Sequence, residues 1–425
     1  MRPPAPAYWN FFPDSYDYLE QSKNSFLSLD LYCPERGEQM ARAFTVPLFY
    51  KLTGSDFEKF VFFQSAFYCI CVLLFVSSLL TLIKRNYLKL LLIPVLYFLF
   101  SWWNIVGWTN QTLSEHLSFC FLLLWLAVLL YFLSKRNLFS FILLLVITVL
   151  HSFTRDTWPY LTMITAILLI AFYFKQERKF TLRYLFTYLI FSIVVFFVQQ
   201  KTVDIGERYR LSVYNTIFVR VAKDRDYLQW FRKKGLPLTG LLGSEFNDLN
   251  AMDTKDQARL YETYTDSTYA PIFKWVTSKG KSAYMKFLIT HPSYFLLVNE
   301  TKEERARIFC YNLTGYIGEA PDNFSLQKDL LPVFNPWVVL ALCLIICWVY
   351  WKNKTVNTAF VMLLLMAVLT IANVFLSYNA EALEVERHMY YTTILIEIIG
   401  WISIFVIADL VLDKYKEKFK KYISI

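Results

Sequence analysis

"KFVFFQSAFYCICVLLFVSSLLTLIKRN" occupies residues 59–86. From Phe60 to Ile83 it carries no Asp, Glu, Lys or Arg, and it then breaks into Lys84 and Arg85. A helix rises about 1.5 Å per residue and the hydrocarbon core of a bilayer is about 30 Å thick, so some 20 apolar residues in a row reach across. This run is long enough, and its basic end marks a side.

The rest of the chain repeats the pattern. Of 425 residues, 56% are hydrophobic and only 18% are charged, where soluble domains are about 45–50% apolar. No single soluble core hides that much apolar surface, but lipid can face it directly. Apolar runs near 59–83, 87–107, 117–134, 138–153, 158–174, 184–200, 335–351, 357–377 and 389–412 predict about nine membrane helices. The fourth and fifth are short enough to be tilted or broken.

Lys and Arg set the orientation. "KRN" follows run one and recurs after run three as Lys135-Arg136-Asn137. "KQERKFTLR" follows run five, "KNK" run seven and "DKYKEKFKKYISI" run nine. Every second connection is basic, which puts all of them on one side, the cytoplasmic one. The net charge of +9 is therefore a topological signal and not a nucleic-acid footprint, so no nucleic-acid partner is expected. The opposite side receives the N-terminal segment, "WTNQTLSEH", "HSFTRDTWPY", residues 201–334 and "SYNAEALEVERH", with all four histidines.

The expected fold is thus an all-α polytopic membrane protein with external juxtamembrane helices and one large, mostly helical external loop domain. Its divisions are 1–58, an external acidic segment; 59–200, a first bundle of about six helices; 201–334, the external domain; 335–412, a second bundle of about three; and 413–425, a basic cytoplasmic tail. "MRPPAPAYWNFF" is no secretory leader. Either run one inserts with its N-terminus outside, helped by the basic residues behind it, or a helix precedes residue 1.

Polar groups gather at external helix ends. They are Asp14, Asp17 and Tyr18 in "PDSYDYL", Arg42 in "RAFTVPLFYKLTG", Glu115 and His116 in "LSEHLSF", Arg155 and Asp156 in "FTRDTWPYL", and Glu386, Arg387 and His388 in "EVERHMYY". Plainer readings stand beside a functional one. Asp14 and Asp17 fit a solvated tail, and Glu115 an acid favoured by a helix N-terminus. His116 and His388 fit ordinary interfacial residues. Arg155 and Arg387 fit interfacial anchors, or partners of Asp156 and Glu386. Cys33 and Cys310 lie outside the apolar runs, as free thiols or a disulfide. Glu397, within run nine, is costly in lipid and reads as a structural acid or a proton relay.

In order and sidedness these motifs resemble the type C (GT-C) membrane glycosyltransferases, which take sugars from polyprenyl-phosphate donors. "PDSYDYL", with Asp14 and Tyr18 four apart, resembles their acidic first external loop. "RAFTVPLFYKLTG" resembles the arginine–proline lead into the next helix, and "LSEHLSFCFLLLWLAVLLYFL" the Ser-Glu entry to a leucine-rich helix. "FTRDTWPYL" and "ERHMYYTTI" resemble later arginine-bearing turns. The family places a helix before its acidic loop, and many members carry their soluble domain at the C-terminus, where this chain has it between helices.

The resemblance implies an inverting transferase of the external face, expected in a bacterial plasma membrane. It implies a polyprenyl-phosphate sugar donor, a glycan, lipid or protein acceptor, and a role in making cell-envelope polysaccharide. Chemistry supports such roles: a carboxylate takes the acceptor's proton, and guanidinium forks match the departing phosphate. Asp14 is the expected base, with Asp17 its alternate. Arg155, Arg387 and His388 face the phosphate, while Glu115, His116, Arg42 and Tyr18 orient the acceptor. Mg²⁺ or Mn²⁺ would suit Asp14, Asp17 and Glu115, although nothing in the sequence requires a metal. Two other readings remain: a transporter or flippase for lipid-linked saccharides, and a polysaccharide ligase or polymerase using Arg208, Arg210, Arg220 and His291 of the large loop.

Overall fold

A computed structural model describes residues 13–35, 41–174, 179–238, 259–297, 308, 309, 313, 317, 318, 333–353, 358–380, 382, 383 and 385–423. Among these residues the secondary structure is helical, with no strand. Eight of the nine apolar runs each coincide with one helix, and the run near 87–107 falls on a bent pair. By length and composition five helices can cross a membrane: Phe57–Leu80, Ser114–Lys135, Leu182–Ile205, Thr358–Ala380 and Tyr390–Asp413. A sixth crossing is a bent pair, Asn86–Phe100 and Trp103–Asn110, broken by 55°. Leu138–Ser152, Trp158–Tyr173 and Pro336–Tyr350 are shorter apolar helices. Among the described residues this is a helical membrane protein with five such candidate spans, six with the bent pair, and the expected count of nine goes beyond that.

The Ser114–Lys135 helix is the axis of the bundle. Its apolar window is 83% buried inside the protein, against 28% for Phe57–Leu80 and for Leu182–Ile205. Central Trp125 is fully buried and donates its indole N–H to Thr148 and Tyr188, so even its polar edge is satisfied. The outer helices turn Phe62, Leu73, Leu90 and Phe197 outward, each well exposed. In water such rows would be a liability, but in lipid they are solvated.

Two ends of the bundle are chemically distinct. At one end, Lys84 and Arg85 of "KRN" reach Asp413 at 3.0 Å each, and Arg85 reaches Asp409 at 3.5 Å. At the other end of that same last helix stand Tyr390 and Tyr391. The intervening 24 residues rise about 36 Å, a bilayer's thickness. The basic connection after run one thus lies a membrane away from the polar cluster around Arg387. Much of the other basic connections, including residues 175–178 and 354, lies outside the described residues.

Short helices Pro13–Ser22, Leu29–Tyr32 and Thr45–Leu52 precede the first span. They are tied to the bundle by hydrogen bonds. Thr45 bonds the carbonyls of Phe153 and Leu150, Tyr50 donates to the Thr112 carbonyl, and Thr112 donates to Ser15. The helix that starts at Lys179 runs on to Ile205, past the expected boundary at residue 200. Gln199, buried near its end, donates to Asp156 and so has a reason to stay helical.

Beyond it, helices Tyr209–Thr216, Arg225–Lys233, Ala270–Trp275 and Lys281–Thr290 build a separate aromatic core around Tyr214, Phe218, Phe231, Phe273 and Phe287. Ala382 and Leu383, which follow the 358–380 helix, join that core. Glu397 is buried and accepts the backbone N–H of Phe334 at 2.9 Å. This bond ahead of the Pro336–Asn353 helix matches its structural reading. Cys33 is half-buried and Cys310 lies outside the described residues.

A charged cavity between the bundle and the loop domain

The Pro13–Ser22 helix places Asp14, Asp17 and Tyr18 on one face, because residues three and four apart on a helix are neighbours. Arg42 meets them from the extended stretch before Thr45. Its backbone is held on both sides by Gln21, which accepts the Arg42 N–H at 2.8 Å and donates to the Arg42 carbonyl at 3.0 Å. So fixed, Arg42 donates to Asp14 and to Asp17 at 2.6 Å each, with its guanidinium 5.3 Å from the Tyr18 ring centre.

Arg387 lies at the end of the chain's last polar connection, in the short helix Val385–His388. It donates to the other oxygen of Asp14 at 3.2 Å and sits 3.0 Å from Glu115. Glu115 is fully buried in the first turn of the central helix. It is therefore both a helix-start acid, favoured by the dipole, and the counter-charge of Arg387. Arg42 bridges Asp14 to Asp17, and Arg387 bridges Asp14 to Glu115, so two arginines knit three carboxylates together.

Arg155 differs from these. It donates to the Tyr391 hydroxyl at 3.2 Å, touches Nδ1 of His388, and has its guanidinium 5.4 Å from the Tyr391 ring centre. The nearest carboxylate, Glu115, is 3.8 Å away and sits closer to Arg387. Asp156, its neighbour in sequence, turns the other way and takes both prongs of Arg208, at 2.9 and 3.1 Å. The plainer alternative, in which Arg155 pairs with Asp156, is thus replaced: adjacent residues in the turn between two antiparallel helices point to different partners. Arg387 likewise reaches Asp14 and Glu115 across the cavity.

These groups line a cavity of about 610 Å³, within the range of small-molecule sites. Asp14, Asp17, Tyr18, Arg42, Arg155, Arg387 and His388 face it. Glu115 lies just beneath, behind Arg387. His116 does not reach it: one residue further round the helix, it is buried with its ring 4.8 Å from that of Tyr68. Arg208 and Arg210 do line the cavity, each paired, with Asp156 and Glu207. Gly206 stands at the closest approach of that wall to the N-terminal segment. A Cβ there would stand 2.6 Å from the Ala41 Cβ, so only glycine lets the loop domain close against the residue beside Arg42.

The local fields have clear signs. Burial works against ionising Asp14, but Arg42 and Arg387 outweigh it and hold its pKa at about 2. Burial works against the Arg42 charge too, and Asp14, Tyr18 and Asp17 more than compensate, pushing its pKa up. His388 is driven well below its ordinary 6.5, first by burial and then by Arg155 and Arg387. It stands as a neutral imidazole able to accept from Arg155.

Among the described residues no group of three or more His, Cys, Asp or Glu side chains is arranged to hold a metal ion. Asp14, Asp17 and Glu115 are bridged through guanidinium groups, the place a shared cation would take, so no step is derived through a metal. Tyr261, Tyr264, Asn215 and Ser212 complete the far wall, and sequence reasoning did not single them out. Comparison with protein-family models, curated proteins and solved structures returned no match.

Proposed function

We propose that this chain is an inverting membrane glycosyltransferase of the GT-C type, which moves a sugar from a polyprenyl-phosphate donor to an acceptor at the external end of the bundle. Arg155 carries the reading. Of the described arginines lining the cavity, Arg155 is the one with no carboxylate inside hydrogen-bond distance. Its positive charge is backed by neutral acceptors, Tyr391 and His388. A phosphate monoanion or dianion entering the cavity finds there a fork of donors already aimed and only weakly neutralised. Arg387 stands beside it as the second phosphate partner.

Asp14 is the carboxylate placed to take the acceptor's proton. Held at about 2, it is ionised near neutral pH but a weak base, since proton transfer is most efficient with a pKa near the working pH. When the donor phosphate draws Arg387 away, one of the two cations holding Asp14 down is removed and its basicity rises. Donor binding and base activation are then one event.

The ligase alternative relies on loop residues that are otherwise engaged. Arg220 bonds the Tyr378 carbonyl and lies over the Tyr378 ring, and His291 stacks on Phe287. Neither lines the cavity.

The test uses purified protein in nanodiscs and undecaprenyl phosphate as probe. The wild type is expected to bind it, and Arg155→Ala to weaken binding at least tenfold. Radiolabelled polyprenyl-phosphate hexose and pentose donors would then be scanned for loss of label to a water-soluble glycan. No phosphate binding, or equal binding by Arg155→Ala, would remove the basis of this reading.

A further inference from the structure

The cavity has two walls of different chemistry. The bundle wall carries Arg155, Arg387 and the three knitted carboxylates. The loop-domain wall carries cations too, but Arg208 is held bidentately by Asp156 and Arg210 is paired with Glu207 at 3.4 Å. Among the described residues these two opposite pairs balance the charge of that wall, and its other lining side chains are Tyr261, Tyr264, Asn215, Ser212 and Leu211.

We propose that this loop-domain wall is the acceptor subsite and that it takes an uncharged, hydroxyl-rich saccharide. The inference rests on the transferase reading and names its acceptor class. Tyr261 is the contact platform, with 48% of its surface exposed beside the cavity. Its ring meets Tyr264 at 5.5 Å, edge to face. Tyr264 in turn packs on Tyr214 and Phe273, which stack on each other at 4.0 Å in the loop-domain core. Among the described residues the platform is thus braced from behind by an aromatic column that runs into the loop-domain core. The C–H face of a pyranose or furanose carries small positive charge and lies well against the negative face of such a ring.

The polar partners suit the same ligand. Asn215 is buried and fixed by the Tyr264 hydroxyl, which donates to its side-chain oxygen at 2.5 Å. That bond orients the amide and couples it to the aromatic column. A fixed amide beside a ring discriminates among hydroxyl patterns, because a mismatched sugar leaves a buried polar group badly paired. A phosphate or carboxylate on the acceptor would meet Asp156 and Glu207 with their countercharges already spent.

The experiment is a glycan array probed with the full-length protein in nanodiscs. It carries neutral gluco-, manno-, galacto- and arabino-oligosaccharides beside sulfated and uronic-acid glycans. Retention of one or more neutral glycans is expected. Tyr261→Ala should lower that binding at least tenfold, and Tyr261→Trp should keep it within threefold, an outcome that a purely structural tyrosine would not give. Undecaprenyl phosphate binding should be unchanged in both variants. Capture of acidic glycans only, no glycan binding, or full binding by Tyr261→Ala would each overturn the proposal. Loss of phosphate binding in the wild type with neutral glycans still bound would instead strike the donor reading and leave this one standing.

Discussion

Asp14 and Arg387 lie 373 positions apart in the chain and 3.2 Å apart across the cavity. The contact closes the N-terminal segment onto the start of the last helix, and Arg387 also serves Glu115, which no solvent reaches. Removing one member of a buried pair strands the other charge. Arg387→Ala is therefore expected to cost about 3 kcal/mol, read as a lower unfolding temperature in detergent micelles. Adding Glu115→Gln should restore part of it, since no carboxylate is then left stranded. Equal stability of Arg387→Ala and wild type would mean that the pair does not hold the segment down.

Asp14→Asn separates binding from chemistry. Turnover should fall by about 10²–10⁴, the usual contribution of a positioned base. Affinity for undecaprenyl phosphate should rise, because Arg387 loses the carboxylate that competes with phosphate. Asp17→Asn, whose aspartate touches Arg42 but not Arg387, should cost less than tenfold in turnover. Near-normal turnover in purified Asp14→Asn would reject the base assignment.

Acid should destabilise the protein in two stages. His388 is held neutral in the fold, so below its ordinary 6.5 the unfolded chain takes up a proton that the folded one does not, and stability falls as pH drops from about 7. Asp14 is also shifted downward, in its case by Arg42 and Arg387. Its contribution is complete above the ordinary 3.8 and is lost as pH falls through about 2. Melting curves between pH 8 and pH 2 should show a shallower upper stage in His388→Gln and a shallower lower stage in Asp14→Asn. Unchanged profiles would contradict the electrostatics described for the site.

Sidedness can be read chemically. In a background lacking the native cysteines, Asn110→Cys should react with an impermeant maleimide from outside intact cells. Lys84→Cys, on the exposed basic end beside Asp413, should react only after lysis. Ser377 is buried and makes a poor probe. Labelling of Lys84→Cys from outside, with Asn110→Cys silent until lysis, would invert the proposed topology, and labelling of both from outside would contradict it.

Much of this arrangement was legible in the sequence, and the limits have physical causes. Apolar length marked every long helix, and alternating basic connections put Asp14, Glu115, Arg155 and Arg387 at one end before any coordinates. What one dimension hides is direction within a turn. Arg155 and Asp156 are adjacent, so pairing was a natural reading, yet the turn sends one to Tyr391 and the other to Arg208. Glu115 and His116 share a helix start, but about 100° of rotation sends the histidine to Tyr68. Tyr261 and Tyr264 gave no signal, because tyrosines are frequent in this chain and only the fold says which of them stand at a cavity. The extension of the 179–205 helix past residue 200 was missed because its polar end is held by tertiary contacts of Gln199.

Arg155 sits on the turn between two unusually short apolar helices, of 15 and 16 residues. At about 1.5 Å per residue they measure some 23 Å, against roughly 30 Å of hydrocarbon. Such mismatch makes a bilayer pinch inward or draws the outer tips of the helices below the headgroups. On the proposed reading, a phosphate on a long isoprenoid tail would reach that turn by sliding sideways, its tail never leaving oil. Bilayer thickness would then set access to the cavity, with shorter acyl chains relieving the pinch and thicker membranes deepening it.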